Sequence, residues 1–188
     1  MKGIFLKLAL AILPLSTAIA QEAAVEESVW GIQTGFLGTW AHNEYRLAGQ
    51  LALRSEVGLD ATILGGSLYD GNSIIFVPVI TLEPRWYYNL GKRNARKKNI
   101  SGNAGNFVSL PVSYNPDWFA ISDLKNVRAL NQVSVIPTWG IKRNLGAVLN
   151  YEAGIGLGYR YIFAKSAGYR NNKGEAALNL HLRIGYKF

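Results

Sequence analysis

The sequence predicts an all-β protein, an antiparallel up-and-down transmembrane β-barrel of eight strands. Apolar and polar residues alternate with period two through several long segments, as in strands with two unlike faces. Beyond the first twenty residues, no continuous apolar run is long enough for a helix to cross a membrane. The chain has no cysteine, which excludes disulfides and a lipid anchor attached through cysteine.

The N-terminus has the pattern of a secretory signal peptide. Lys2 and Lys7 provide positive charge, an apolar run follows, and Ala18-Ile19-Ala20 has the small-x-small form of a cleavage site. The apolar run is shorter than the about 20 residues that a membrane helix needs. We therefore predict a signal peptide over 1–20, cleaved after Ala20, and one barrel domain over 21–188 in the outer membrane.

The period-two alternation is clearest in segment 176–188 and recurs in other segments. Its apolar face consists of Ala176, Leu178, Leu180, Leu182, Ile184, Tyr186 and Phe188. The other segments are 29–41, 49–63, 74–90, 106–115, 132–142 and 147–163. Several of these segments are as long as a tilted membrane-spanning strand, which needs about 9–11 residues. Because bacterial barrels have an even number of strands, we expect either a second strand within 21–48 or two strands within one long segment.

Aromatic residues near the strand ends are expected to form two girdles at the membrane interfaces. One girdle is predicted to contain Trp40, Trp86, Tyr88, Trp139, Tyr151, Tyr186 and Phe188, and the other Trp30, Tyr114, Tyr161 and Phe163. Pro78, Pro84 and Pro137 fall inside predicted strands. Proline cannot donate to a strand ladder, so we expect a local bulge at each.

The predicted inward face carries charges of both signs. An eight-stranded barrel is only wide enough for side chains to fill it, and a lone buried charge is costly, so these charges should pair. We predict a lumen charge network of Arg54, Glu56, Glu83, Arg85, Glu152, Arg160 and Arg183, and we also place Asp60, Lys142 and Lys187 on the inward face. A side-chain-filled lumen is favoured over an ion pathway.

The connections differ in length and charge. The longer polar ones, Leu64–Asn72, Asn115–Ala129 and Ala164–Glu175, are expected outside the cell, and the stretch 91–105 on the periplasmic side. Without Lys2 and Lys7, 18 basic residues face 12 acidic ones, a net charge of +6. Five of these basic residues form one cluster, Lys92, Arg93, Arg96, Lys97 and Lys98. A secreted chain does not meet nucleic acid, so we expect the cluster to be a polar turn that can face phosphate-bearing lipid.

Nothing in the sequence points to a cofactor, a metal site or a catalytic group. Gly154-Ile155-Gly156-Leu157-Gly158 continues a strand and lacks the strand-to-helix turn of a nucleotide site. The two histidines, His42 and His181, have no recognisable catalytic partner in sequence. We expect a non-enzymatic protein of envelope structure or surface and ligand interaction. A lipid A-modifying enzyme, a small diffusion channel and a soluble secreted barrel remain alternatives.

Aromatic residues in the predicted loops are candidates for contact with lipopolysaccharide, together with the basic residues near them. They are Tyr69, Trp118, Phe119 and Tyr169.

Four strand segments resemble the small uncharacterised outer-membrane β-barrel proteins of Bacteroidota and, more distantly, barrels of the OmpA/OmpX type. They are Ile80–Leu90 (ITLEPRWYYNL), Ile136–Asn144 (IPTWGIKRN), Tyr151–Phe163 (YEAGIGLGYRYIF) and Leu178–Phe188 (LNLHLRIGYKF). The resemblance implies an eight-stranded barrel inserted by the barrel-assembly machinery, with Tyr186 and Phe188 as the assembly signal. It implies no catalytic residues. The long stretch 91–105 departs from the simplest pattern of these barrels.

Overall fold

The computed structural model describes residues 23–64, 73–123 and 127–188, and these form a closed eight-stranded antiparallel β-barrel. The strands are β1 (Ser28–Gly35), β2 (Gly38–Ala48), β3 (Leu51–Leu64), β4 (Ser73–Trp86), β5 (Asn106–Ser109), β6 (Val112–Asn115), β7 (Ile121–Ser122), β8 (Gln132–Val135), β9 (Thr138–Leu145), β10 (Leu149–Ile162) and β11 (Lys173–Lys187). A short helix α1 (Leu90–Ala95) and two 3-10 turns, Ser101–Asn103 and Ala164–Ala167, complete the elements. The predicted signal peptide 1–20 lies outside the described residues, as do Tyr69 and nearly all of the connection Leu64–Asn72.

The eleven strand segments make eight barrel strands because two of the barrel strands are interrupted. Segments β5, β6 and β7 follow one another along the fifth barrel strand, beside β4. Segments β8 and β9 share the sixth, beside β10. Pairing of β1 with β11, from Gly31 opposite Lys187 to Gly35 opposite Arg183, closes the sheet. The predicted all-β fold, an antiparallel barrel of eight strands, is therefore confirmed.

The strand missing from the sequence count lies within residues 21–48. That region folds into the hairpin β1–β2, joined by Phe36 and Leu37 at a tight turn. Partners across this two-residue turn share a face, so Gln33 and Trp40 both point into the barrel. Inward residues therefore have odd numbers in β1 and even numbers in β2. The predicted segment 29–41 runs across the turn, so it combined β1 with the start of β2 and left one strand uncounted.

Proline interrupts two of the barrel strands at one level. Leu110 N–H donates to Pro84 O (3.2 Å), and Ile136 N–H donates to Pro111 O (3.2 Å). Because Pro111 and Pro137 have no N–H to donate, the ladder breaks beside them. The ladder lapses at Pro137 but does not bulge, because β10 pairs with β8 and β9 in one continuous register. On the other side, β4 pairs with β3 without a register shift through both Pro78 and Pro84. The bulges predicted at Pro84 and Pro137 are therefore wrong. Beside Pro78 the register with the fifth barrel strand does shift by three residues, from Ile80 opposite Tyr114 to Phe76 opposite Ile121.

The barrel has two distinct ends. At the end where β11 finishes, hereafter the C-terminal end, Phe188 N–H donates to Trp30 O (3.1 Å), so Trp30 belongs to this rim and not to the opposite one. At the other end, hereafter the loop end, lie the β1–β2 turn, residues 127–131 before β8 and the connection from β10 to β11. Trp40 is only 3% exposed and faces the lumen, so its predicted place in a girdle is also wrong.

None of the helices in the described part of the chain is long and apolar enough to cross a membrane.

Candidate functional site

Two carboxylates stand at the centre of the lumen and are shared by three cations. Glu44 Oε1 lies 3.2 Å from Arg54 Nη1, 3.2 Å from Arg85 Nη1 and 3.0 Å from Lys142 Nζ. Glu152 accepts from Arg85 Nη1 at 3.0 Å and lies 3.4 Å from Arg54 Nη1. These side chains come from β2, β3, β4, β9 and β10, and each is at most 1% exposed.

A second layer of the network lies toward the loop end. Glu56 accepts from Arg54 Nη2 and from Arg183 Nη1, each at 2.7 Å. Arg85 Nη2 donates to Glu83 Oε2 at 2.8 Å. Arg183 also covers the ring of Trp40 with its guanidinium carbon 3.8 Å from the ring centroid, a cation–π contact. The charge network thus extends through two layers of inward residues.

The network is electrically balanced. Glu44, Glu56, Glu83 and Glu152 are matched by Arg54, Arg85, Lys142 and Arg183. Burying an ion is costly, and the attraction between opposite charges offsets this cost only where the partners are also hydrogen bonded. Each of the four carboxylates accepts at least one hydrogen bond from these cations, which meets that condition. The site therefore works as a polar core that connects strands from all around the barrel.

The structure brings together six of the seven residues predicted for the lumen network. Arg160 is the exception: its Nη1 lies 3.8 Å from Glu175 Oε1 near the loop end, and its side chain is 34% exposed. It shares a face with Glu152, but eight residues of strand separate the two by roughly 27 Å. Alternation predicted the correct face and could not give the depth.

The charged residue of the network that the prediction missed is Glu44, which accepts hydrogen bonds from five side chains. The buried Gln33, which donates to Glu152 and accepts from Arg54, was missed as well. The alternation of Trp40, His42 and Glu44 along β2 was the signal, but the predicted segment ended at residue 41. Of the other residues predicted to face inward, Lys142 joins the network and Asp60 lies above it. Lys187 Nζ instead donates to Ser101 Oγ (2.8 Å) at the C-terminal end.

The connection between β4 and β5 closes the C-terminal end of the lumen. Tyr87 OH and Asn103 Nδ2 both donate to Glu44 Oε2 at 2.9 Å. The ring of Tyr87 also belongs to a buried apolar cluster, which consists of Val25, Ala52, Tyr87, Leu90 and Phe107. We call residues 87–105 the plug. The plug links the long basic stretch noted in the sequence directly to the centre of the charge network.

Above the network, a cavity of about 710 Å³ extends to the β1–β2 turn at the loop end. Glu56, Glu83, His181 and Arg183 form its floor. On its wall, Trp40 Nε1 donates to Asp60 Oδ1 (2.9 Å) and Asn115 Nδ2 donates to Asp60 Oδ2 (3.2 Å). We call this cavity the cup. Its volume is in the range of small-molecule sites.

Both histidines lie in the lumen. His42 is 3% exposed and its ring nitrogens have no hydrogen-bond partner. His181 Nε2 lies 3.5 Å from Glu152 Oε2, and its ring stacks on Phe107. Gly154 gives His181 room, since a Cβ there would lie 3.3 Å from that ring. Within the described ranges, no group of three or more His, Cys, Asp or Glu residues is placed to hold a metal ion.

The fold and the lumen define a small closed β-barrel with a paired, charge-filled core that is plugged at one end. No family model, curated protein or solved structure matches the chain.

Proposed function

We propose that the chain is a non-enzymatic outer-membrane β-barrel protein that acts in envelope structure or in surface and ligand interaction at its loop end. The observation that carries this is the outward apolar band. Leu157, Leu178, Leu180, Leu182 and Ile184 all point out from the barrel, each between 52% and 68% exposed. Large contiguous apolar surfaces on a protein usually mark contact with a membrane or a partner.

Aromatic residues at both rims support the membrane location. Trp30, Trp86, Trp139, Tyr186 and Phe188 are exposed at the C-terminal end, and Tyr159, Tyr161 and Phe163 are exposed toward the loop end. Amphipathic rings prefer the level of lipid headgroups, and transmembrane barrels have such rings at both interfaces. Between the two rims, the outward side chains are mainly aliphatic. This order is expected of a barrel that spans one bilayer.

Assembly through the usual outer-membrane route belongs to the same proposal. A signal peptide over 1–20, cleaved after Ala20, would direct the chain across the inner membrane. The final strand β11 ends in Tyr186 and Phe188, whose rings pack edge to face with centroids 5.4 Å apart. These two residues are our candidates for recognition by the barrel-assembly machinery.

The sealed lumen favours a structural or binding role over a diffusion channel. An open channel requires a continuous water path, whereas the plug and the paired charges occupy the C-terminal half of the lumen. The cup offers a place for an unidentified small ligand, and in the proposed orientation the loop end would meet lipopolysaccharide. A lipid A-modifying enzyme is the remaining alternative. The mass profile of lipid A from a deletion strain should be unchanged, and loss of an acyl or headgroup modification would favour the enzyme.

Cell fractionation tests the location. Expressed with its own N-terminus in a Gram-negative host, the protein should pellet with outer membranes and require detergent for extraction. The mature chain should begin at Gln21 by N-terminal sequencing. Recovery in the periplasmic soluble fraction without detergent would contradict the proposal and favour a soluble secreted barrel.

A further inference from the structure

A second concave site lies outside the lumen, at the C-terminal end. Its volume is about 460 Å³, and it lies between the plug and the start of β5 and the end of β9. It is lined by Tyr88, Asn89, Lys92, Arg93, Arg96, Lys98, Asn106 and Arg143. We call it the basic pocket. It brings most of the basic cluster of the sequence together with Arg143, which is distant in the chain.

The basic pocket is unbalanced in charge, unlike the lumen. Its lining contains five cationic side chains and no carboxylate. In the described part of the chain, no ion pair involves Lys92, Arg96 or Lys98. Concentrated positive charge in a concave site attracts anions, because the low-dielectric walls focus the field.

Two arginines of the pocket are held in place by backbone carbonyls. Arg143 Nη1 donates to Gly105 O (2.9 Å) and to Lys142 O (2.7 Å). Arg93 Nη2 donates to Asn99 O (3.1 Å), while its Nε is buried without a hydrogen-bond partner. Guanidinium groups fixed in this way lose little freedom when a ligand binds. Arg143 Nη2 also donates to Asn106 Oδ1. Each arginine therefore keeps only part of its donors, and these can make charge-assisted hydrogen bonds to a phosphate oxygen.

The uncharged groups of the pocket also have donors to spare. Tyr88 OH accepts from Trp139 Nε1 (2.8 Å) and from Asn106 Nδ2 (3.3 Å), which leaves its own hydrogen free to donate. Asn89 Oδ1 accepts from Asn106 N–H (2.7 Å), which leaves the Asn89 amide NH₂ as a donor. A ligand with several acceptor oxygens would therefore find donors on each side of the pocket.

The position of the pocket indicates the source of such a ligand. Tyr88 links the pocket to the outer wall of the barrel: its ring packs against Trp86 with centroids 5.9 Å apart, and it bonds to Trp139. All three rings are exposed. A phosphate held by the cations would lie next to this aromatic rim, and an attached acyl chain could follow the apolar wall.

We propose that the basic pocket binds the phosphate group of an anionic membrane lipid in the leaflet at the C-terminal end of the barrel. The lipid source rests on the outer-membrane location proposed above, whereas the anion site does not. Basic clusters at a membrane surface recognise anionic lipids, with about 1 kcal/mol per cation. That corresponds to about a five-fold change in affinity for each cation removed.

The test uses the full mature barrel in a neutral detergent and native mass spectrometry with phosphatidylglycerol, phosphatidylcholine or inorganic phosphate. The test variant is Lys92→Gln/Arg96→Gln, which spares the anchored Arg93 and Arg143. The matched control is Lys165→Gln/Arg170→Gln, which removes two exposed cations at the loop end. We expect phosphatidylglycerol to bind more tightly than phosphatidylcholine, with about a 25-fold loss in the test variant and no loss in the control.

Each other outcome contradicts a defined part of the proposal. Equal phosphatidylglycerol binding by the wild type and Lys92→Gln/Arg96→Gln would overturn the site. An equal loss in both variants would assign the effect to net charge and also overturn it. Binding of inorganic phosphate that depends on Lys92 and Arg96, without lipid preference and with the protein in the soluble fraction, would keep the anion site but overturn the lipid and the membrane location. Heat-induced unfolding of each variant, monitored by circular dichroism, checks that both are folded.

Discussion

Asn103 of the plug donates a hydrogen bond of 2.9 Å from Nδ2 to Glu44 Oε2 at the centre of the lumen. Its Oδ1 accepts from Glu26 N–H at 2.7 Å, so one side chain joins the N-terminal segment, the plug and the charge network. Asn103 has a φ of 61°, a conformation that asparagine adopts more readily than most residues. The position therefore requires both the amide and the backbone of asparagine.

Replacing Asn103 should loosen the plug. Asn103→Ala leaves Glu44 without this donor and should lower the free energy of unfolding by about 1–3 kcal/mol. Asn103→Asp should cost more, because it places a second carboxylate beside Glu44. Urea unfolding in detergent measures both, with Asn171→Ala, an exposed residue at the loop end, as control. An Asn103→Asp variant as stable as the wild type would contradict the contact.

Removing one member of the charge network should leave its partners unpaired. Glu44→Gln takes the negative charge from a site shared by Arg54, Arg85 and Lys142, and should destabilise the barrel by about 3–5 kcal/mol. Adding Lys142→Gln removes one excess cation, so the double variant should be more stable than the sum of the two single effects predicts. Strict additivity in this double-mutant cycle would show that Glu44 and Lys142 do not interact.

Gly140 gives the ring of Phe107 its space at the edge of the plug. A Cβ at residue 140 would lie 2.4 Å from Phe107 Cζ, so Gly140→Ala should force the ring to move and cost about 1–3 kcal/mol. A smaller side chain in Phe107→Leu should recover part of this loss in the double variant. Gly49→Ala is the control, because no atom lies within 4 Å of a Cβ there. Equal effects at both glycines would contradict the packing.

A charged substitution on the outward face tests whether that face meets lipid or water. Leu180 is 52% exposed in the middle of β11, opposite Ile155. If this face meets hydrocarbon, Leu180→Arg should cost about 2–4 kcal/mol in folding into lipid vesicles. Tyr169→Arg, at an exposed residue of the loop end, should be close to neutral. A neutral Leu180→Arg would contradict a lipid-facing wall, since surface substitutions in water usually stay within about 0.5 kcal/mol.

The plug and the paired lumen should block ion flow. In planar bilayers the wild-type barrel is expected to show no large, steady conductance, because Tyr87 and Asn103 cover Glu44 from the C-terminal end. A channel formed by a contaminant would not respond to changes in the plug, so Asn103→Ala serves as the comparison. A well-defined open channel in the wild type whose conductance changes in Asn103→Ala would contradict a lumen closed by these contacts, whereas a conductance that is the same in both proteins would belong to a contaminant.

Sequence alternation predicted the fold and the faces of β10 and β11 because neighbouring side chains in a strand must point to opposite sides. It failed at Trp40, because the β1–β2 turn changes which residues face inward. It missed Glu44, because the predicted segment ended at residue 41. It placed Arg160 on the correct face but not at the correct depth, since depth depends on strand register. Register is a property of pairs of strands and is not visible in one of them.

The role of the plug could not be predicted for a different reason. Asn103 is separated from Glu44 by 59 residues, and nothing in the local pattern of 91–105 indicates an inward contact. The basic cluster was visible in the sequence, but the contribution of Arg143 was not. Arg143 reaches the pocket because β9 pairs with β5, which brings it next to the plug.

Gel mobility of the purified mature protein tests the transmembrane barrel most directly. Closed membrane barrels resist unfolding in detergent at room temperature, so the unboiled sample should migrate differently from the boiled one and should shift to the unfolded position on heating. Removal of detergent should precipitate it, because the outward Leu157, Leu180 and Leu182 would lose their apolar surroundings. A single mobility at all temperatures, together with a protein that stays monomeric in buffer after detergent is removed, would contradict the transmembrane barrel.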